Sequence, residues 1–360
     1  MRYPHFAELG SLVEGGLVTR RKHPDFPIYI YNYGPKAMGE WATPAEWPQA
    51  GLDARGLVLN EQGQVIARGF RKFFNFEQVR DQIPWDRACY LSKKMDGSLL
   101  LVFNYGGQLV TATRGSFQSE QALRGREILE RKYPDWFPAF EGFTWLFEVI
   151  YPENRIVVDY GNVEELYLLT ITLLDGRETI AFSHPFPEPT SGLIHAGHDP
   201  LAFAAVYEEA NEEGWVARWV ESSWNPVGGF RCKIKYADYC RLHRLYFHTN
   251  TRSIWECVSN GLPVEIPEEA PTEFREWARN VANDLWRAYG VIEENARNQF
   301  ALLKGLAEVS RKEFALRASK VTVYPHLQFA LLDGKDIAPM IWKALRPERA
   351  NFFRKGVVDE

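Results

Sequence analysis

Lys94, Met95, Asp96 and Gly97 are the residues of this chain best placed by type and spacing to do chemistry, at the centre of the strand-like run YLSKKMDGSLL, Tyr90 to Leu100. Strands built only to pack do not crowd charge before a glycine. KMDG is therefore either an exposed hairpin entry or a place where Lys94, with Lys93 as its rival, acts as a nucleophile. Three further stretches bear on that choice. Glu148 sits inside the apolar run FTWLFEVI, where alternation puts it on the face of Thr144, Leu146 and Ile150. A carboxylate there is costly unless paired or hydrogen-bonded. Glu213 and Gly214 lead into GWVARWV, and Lys233 and Lys235 share one strand face with Ile234 on the other. Like charges side by side do not stabilise a sheet, but a polyanion between them would. One lysine beside a glycine, two acidic strand residues for a metal or ribose and two lysines for phosphates make a nucleotide pocket. No Walker A sequence occurs, so P-loop chemistry is not the reading.

The elements that must position these residues are mostly short strands from residue 26 to about 240. Ser98 to Asn104 and Leu109 to Gly115 flank the turn YGGQ and read as a hairpin. Ser119 caps a helix expected over 120–132, with Leu123, Ile128 and Leu129 on its inner side. Strands are expected at 143–150, 165–174, 214–220 and 230–236. After about residue 250 the texture turns helical. EIPEEAP, Glu265 to Pro271, reads as a linker. Thr272 is expected to cap a helix with Phe274, Trp277, Val281, Leu285 and Tyr289 on one face, ended by Gly290. A second helical stretch follows over 291–318, and the last 40 residues read as short helical pieces broken by prolines and a glycine. The fold class is α+β: a β-rich domain at 1–248, then an all-helical domain at 249–360.

The 360 residues carry a net charge of −5, so any nucleic-acid site must be a local groove rather than a global basic surface. The aromatic share of 14%, with 12 Trp, supplies rings for a large core and for base stacking. Cys89, Cys232, Cys240 and Cys257 form no CxxC pair, the start lacks an apolar leader, and no long apolar run occurs. Reduced thiols in a cytoplasmic protein are expected, without a membrane partner. His195 and His198 form an isolated HxxH that is read as part of a loop rather than as a zinc site.

The order KxDG, strand glutamate, EG before a strand, then KxK resembles that of the covalent nucleotidyltransferases, the ligases and capping enzymes. The likeness is closer to the T4-like RNA ligase 1 family. ARGLVLN (Ala54 to Asn60) is similar to its upstream RG segment, RKFFNFEQ (Arg71 to Gln78) to its KFFN signature, and KMDGSL to its nucleophile motif. PENRIV after Glu148 and KIK at Lys233 to Lys235 also match, so the resemblance covers about residues 26 to 245. At TRGS some relatives carry lysine where this chain has Arg114, which keeps the charge and adds a fork geometry.

The resemblance implies an ATP-grasp-like nucleotidyltransferase domain and an ATP-dependent RNA ligase. ATP adenylates Lys94, AMP passes to an RNA 5′-phosphate, and a 3′-hydroxyl then displaces it. Lys94 must attack as a neutral amine, although a free lysine titrates at about 10.4. Burial and the cations Lys233, Lys235, Arg55 and Mg²⁺ are expected to lower it. By resemblance, Glu148 holds the ribose, Glu213 and Glu148 place Mg²⁺ through water, and Lys233 and Lys235 neutralise the α-phosphate and pyrophosphate. Asp96 and Gly97 shape the turn beneath the nucleotide. Arg55, Lys72 and Arg114 are further phosphate or ribose contacts, and Phe74 is the ring nearest the nucleotide. Tyr31 and Tyr33 are weaker candidates, and Asn154, Arg155, Trp215 and Tyr239 are given scaffold roles. A capping guanylyltransferase or a DNA ligase is the nearest alternative, and an inactive RNA-binding relative another. The helical domain is expected to select the RNA, a tRNA-like break being one candidate. Single-stranded DNA is a further candidate substrate, and phage or cellular origin is left open, with host cytoplasm implied for a phage protein.

Overall fold

The computed structural model describes residues 1–179, 183–195, 198–219, 229–267 and 270–352. Val220, Glu268, Glu269 and residues 353–360, on which parts of the expected strand, linker and terminal pieces fall, lie outside these. The chain divides into two compact units, Met1–His243 and a second from Arg244 onward.

In chain order the strands of the first unit are β1 (Val18–Lys22), β2 (Ile28–Tyr33), β3 (Arg55–Asn60), β4 (Val65–Arg68), β5 (Phe74–Asn75), β6 (Cys89–Lys93) and β7 (Ser98–Tyr105). They continue as β8 (Gln108–Ala112), β9 (Phe143–Ile150), β10 (Glu165–Leu173), β11 (Glu178–Thr179), β12 (Ser191–Ile194), β13 (Gly214–Trp219) and β14 (Phe230–Lys235). Three sheets result, ordered β1-β2-β3-β4, β11-β10-β9-β7-β8 and β12-β6-β13-β14-β5. All pairings are antiparallel except that of β14 with β5.

Alternation along the central strands builds two cores. Leu101, Phe103 and Leu146 point to Ile28, Ile30 and Val58 of the first sheet. Leu100, Val102, Phe147 and Val149 point the other way, to Ile128 and Leu129 of the helix Glu120–Lys132. Ser119 caps that helix by accepting from the Ala122 N–H. Leu123, expected on its inner side, is 51% exposed. Ala122 and Gly125 take the inner positions instead, because the Leu100 side chain lies where a larger residue at 125 would go.

The third sheet is tied to the second through Glu178, whose carboxylate bonds Arg231 at 2.7 and 2.8 Å and Arg218 at 3.1 Å. This is a buried charge cluster rather than an apolar contact.

The second unit is helical, with helices at Thr251–Ser259, Thr272–Val309, Arg311–Val321, Pro325–Leu332 and Ala338–Ala344. Gly290 does not end the helix that Thr272 begins; the helix runs on through it for 38 residues in all. A mid-helix glycine costs only about 1 kcal/mol, and Ile292 and Ala296 beyond it pack against Leu327 and Ile341. The break falls instead at Ser310, which caps the next helix by accepting from Glu313. No helix among the described residues is long and apolar enough to cross a membrane.

Candidate active site

Strand β6 ends at Lys93, and Lys94 follows it directly. Lys93 pairs with Glu212, and Lys94 with Glu213, at 2.6 Å from Nζ to Oε2. The backbone fixes this choice: the Lys94 N–H donates to the Gly214 carbonyl at 2.8 Å and the Lys93 N–H to that of Thr190. Glu213 is 2% exposed, and its other oxygen lies 2.8 Å from Lys235 Nζ. Gly214 makes this approach possible. Its φ of 133° disfavours any side chain, and a Cβ there would meet the Ile234 carbonyl at 2.1 Å. Asn211 braces the same loop by exchanging hydrogen bonds with the Asp159 backbone at 2.7 and 2.8 Å.

After Lys94 the chain turns through Asp96 and Gly97. The Asp96 carboxylate is consumed by the protein. One oxygen accepts from the N–H groups of Val157 and Val158, both at 2.8 Å, and the other from the Tyr239 hydroxyl at 2.7 Å. The Asp96 N–H donates to the Tyr160 hydroxyl at 2.9 Å. Asp96 thus clamps the loop, leaving little of its carboxylate for a ligand. The Gly97 N–H donates to Glu148 at 3.1 Å. A Cβ at Gly97 would lie 2.5 Å from the Val149 carbonyl, so the residue must be glycine for the loop to rest on β9.

The electrostatics depart from the sequence expectation at Lys94. Burial pulls its ammonium down, but Glu213 and then Glu148 outweigh burial, and the pKa lies above its ordinary value. Lys233 is the lysine pulled well below its usual range, through burial and through Arg55, Lys94, Lys235 and Lys72, and burial also lowers Lys72. Among the described residues Lys233 meets no carboxylate. Glu148 is pushed up to about 7, chiefly by burial, with Lys94 opposing and Glu213 reinforcing. Glu213 is held down: burial would raise it, but Lys94 and Lys235 win.

A second cationic group surrounds Tyr33 at the end of β2. Lys72 Nζ lies 4.8, 4.4 and 5.1 Å from the ring centres of Tyr33, Trp47 and Phe74. The Arg114 guanidinium is 5.4 Å from the Tyr33 ring. Burial would raise the Tyr33 phenol, yet Arg55, Arg114 and Lys72 together bring it below its ordinary value. Arg55 Nη1 is buried with no hydrogen-bond partner. Phe74, expected nearest the nucleotide, belongs to this box. Phe73 instead lies beside Lys233 and Arg55, at 5.0 and 5.8 Å. Phe73, Trp47 and Glu212 are the residues that sequence reasoning passed over. Phe73 stands inside the quoted RKFFNFEQ run, whereas nothing local marks Trp47.

Lys94, Glu148, Glu213, Lys233 and Lys235 thus converge, with Gly97 beneath them, and Arg55 links them through its charge to Tyr33, Lys72 and Arg114. Asn154 bonds Ser98, Trp215 bonds the Tyr236 hydroxyl, and Arg155 pairs with Asp159. Tyr31 is packed in the core with Leu57 and Leu59. A buried surplus of cations facing two carboxylates suits a polyphosphate. For a divalent ion, Mg²⁺ takes one or two carboxylates and keeps several waters. Glu148 and Glu213 fit that pattern, while among the described residues no cluster of three or more His, Cys, Asp or Glu forms a cage.

Residues 53–183 match an RNA ligase family model, RNA_lig_T4_1. A Thermovibrio ammonificans protein named "Putative RNA ligase" is 29% identical over 210 residues, covering 53% of each chain. RNA ligase 1 of bacteriophage TS2126 is 30% identical over 155 residues, 38% of each. The match therefore spans about half the length of the first relative and less of the second. A solved archaeal ATP-dependent RNA ligase is similar at 14% identity over 76% of this chain and 74% of that one, with a TM-score of 0.44, too loose a likeness to carry a functional argument. The matched segment holds Arg55, Lys72, Lys94, Arg114 and Glu148, and over it the chain is similar to the RNA ligases of that family.

Proposed function

We propose that the chain is an ATP-dependent RNA ligase that joins 5′-phosphate and 3′-hydroxyl ends of RNA through AMP carried on Lys94, in the cytoplasm. The observation that carries this reading is the Lys94–Glu213–Lys235 bridge, which holds one lysine against a carboxylate that a second lysine also neutralises. In the free protein Lys94 is held charged. Its nitrogen becomes nucleophilic when its proton passes along the 2.6 Å hydrogen bond to the Glu213 carboxylate, which accepts it. The nitrogen then forms a bond to the α-phosphorus while the bond to the β-phosphate oxygen breaks and pyrophosphate departs.

Lys233, Lys235, Arg55, Lys72 and Arg114 stabilise the charge that develops on the phosphates. Lys233 serves this well because among the described residues no carboxylate competes for it. Glu148 orients the ribose and the Asp96 clamp keeps Lys94 aimed. Glu148 and Glu213 are the residues that would hold Mg²⁺, which would supply further positive charge to the phosphates. The domain at 1–248 carries this chemistry, and the helical domain at 249–360 selects the RNA.

The test is to incubate the protein with α-labelled ATP and Mg²⁺, denature it and look for label on the chain, alongside Lys94→Ala and labelled GTP. Label from ATP, absent in the variant, is expected. Label from GTP in preference would move the reading to a capping enzyme, and no label from either would overturn it.

A further inference from the structure

We propose that strand β1, the outer edge of the first sheet, seats the sugar-phosphate backbone of single-stranded RNA and leads it to the cationic group at Tyr33. The inference rests on the ligase reading and adds to it the place where the RNA lies.

Arg20, Arg21 and Lys22 follow one another on β1 and all are exposed. The Arg20 guanidinium carbon lies 3.8 Å from the centre of the Tyr29 ring, and Tyr29 donates to Glu61 at 3.2 Å. None of the three cations has a carboxylate partner among the described residues. The cations of the helix Glu120–Lys132 differ: Arg124, Arg126, Arg131 and Lys132 are each paired with a glutamate. A lone lysine would suffice to discourage edge-to-edge pairing of sheets. Three adjacent cations, two of them arginines whose forks match phosphate, exceed that need, and they stand out in a chain of net charge −5.

The register connects this edge to the site. Lys22 pairs with Tyr29, Arg20 with Tyr31, Thr19 with Asn32 and Val18 with Tyr33, the ring beside Lys72 and Arg114. At about 3.4 Å per residue, Arg20 and Lys22 lie about 7 and about 14 Å along the strand from that pair. Between them, Thr19 donates to the Asn32 carbonyl at 3.0 Å. The Asn32 side chain rests against Gly115, next to Arg114, and its Oδ1 is buried without a hydrogen-bond partner. An unused acceptor beside a phosphate track suits a ribose 2′-hydroxyl, the group that distinguishes RNA. The seat is one strand wide, which fits a single strand.

The test uses the full chain carrying Arg20→Gln, Arg21→Gln and Lys22→Gln together, with a control carrying Arg126→Gln, Arg131→Gln and Lys132→Gln. Binding of a 5′-phosphorylated single-stranded oligoribonucleotide is followed by fluorescence anisotropy across a KCl series. The β1 variant is expected to bind at least tenfold more weakly at low salt. The slope of log K against log salt should flatten by about 2, since each phosphate contact on a single strand contributes about 0.7. Self-adenylation without RNA should be unchanged in both variants, and the control should keep its affinity. Unchanged affinity and slope in the β1 variant would overturn the proposal, as would equal weakening in the control. Displacement of the RNA by poly-glutamate at matched charge would likewise overturn it, marking a general anion surface. If the unaltered protein takes no label from ATP while its RNA binding still depends on β1, the ligase reading falls and this seat stands.

Discussion

Glu213 presents one carboxylate oxygen to each of two lysines, Lys94 at 2.6 Å and Lys235 at 2.8 Å, from a side chain almost wholly buried. The two ends of this bridge are not equivalent to mutation. Lys94→Ala removes the nucleophile but leaves Glu213 paired with Lys235. Glu213→Ala leaves two lysines facing each other around a cavity, and breaking a buried pair this way costs about 3–5 kcal/mol. Lys94→Ala should therefore lose all label while unfolding within a few degrees of the parent. Glu213→Ala should lose label and be markedly destabilised in urea. Equal stability of the two variants would show that the bridge does not act as described.

Lys233 makes the opposite prediction for stability. It is depressed by burial and by four neighbouring cations, and among the described residues no carboxylate relieves it. Such a group costs folding energy, and a site that stores that cost trades stability for activity. Lys233→Met keeps the length and apolar stem of the side chain and removes the charge. The variant is expected to melt at a higher temperature, by a few degrees, while labelling by ATP falls at least 100-fold. A lower melting temperature would mean that Lys233 is held by favourable contacts, against the charge surplus inferred here.

How far the site was legible depended on whether a residue's role is written locally. KMDG, the alternation around Glu148 and the KxK pair are local patterns, and the strands that carry them formed where the apolar alternation placed them. The charge state of Lys94 was not legible, because it depends on which long-range partner comes nearer. Cations were counted on, but β13 brings Glu213 to 2.6 Å and the carboxylate prevails. Trp47 was invisible for the same reason: its closeness to Lys72 arises only in the folded chain. The end of the helix at Gly290 was misjudged because glycine's weak local preference gave way to the packing of Ile292 and Ala296. Leu123 was misplaced because the helix turns Ala122 and Gly125 inward, with Leu100 filling the space at 125, a fact of the sheet and not of the helix.

Glu148 should make stability depend on pH. Its folded pKa is raised to about 7 from an ordinary 4.5, chiefly by burial. Between these values the native carboxyl holds a proton that the unfolded chain has lost. Native proteins then bind more protons than unfolded ones, so stability falls as pH rises through this window and levels off above it. At about 1.4 kcal/mol per pH unit the loss has a ceiling of about 3 kcal/mol. Glu148→Gln removes the titration, so its stability relative to the parent should improve between pH 4.5 and 7.5. Chemical denaturation of both proteins at several pH values measures this, and parallel curves would refute it.

Glu178 offers a way to separate scaffold from chemistry. Its carboxylate is held below its ordinary range: burial opposes, but Arg231 and then Arg218 prevail. Both guanidiniums are mostly buried with it, and Arg231 also lies 4.6 Å from the Phe70 ring. Removing the carboxylate strands two arginines at the junction of the second and third sheets, at a cost of about 3–5 kcal/mol. Arg231 lies on β14, two residues before Lys233, and reaches the site only through the Phe73 ring, 5.6 Å from its guanidinium. Glu178→Ala is expected to lower the urea midpoint strongly, yet to label with ATP at the parent rate per folded molecule at low temperature. Substituting Glu178→Leu together with Arg218→Met and Arg231→Met should recover much of the stability, since well-packed apolar groups often replace buried charges without loss. If the triple variant is folded but no longer takes label, the charge cluster itself sets the position of Lys233 and Lys235.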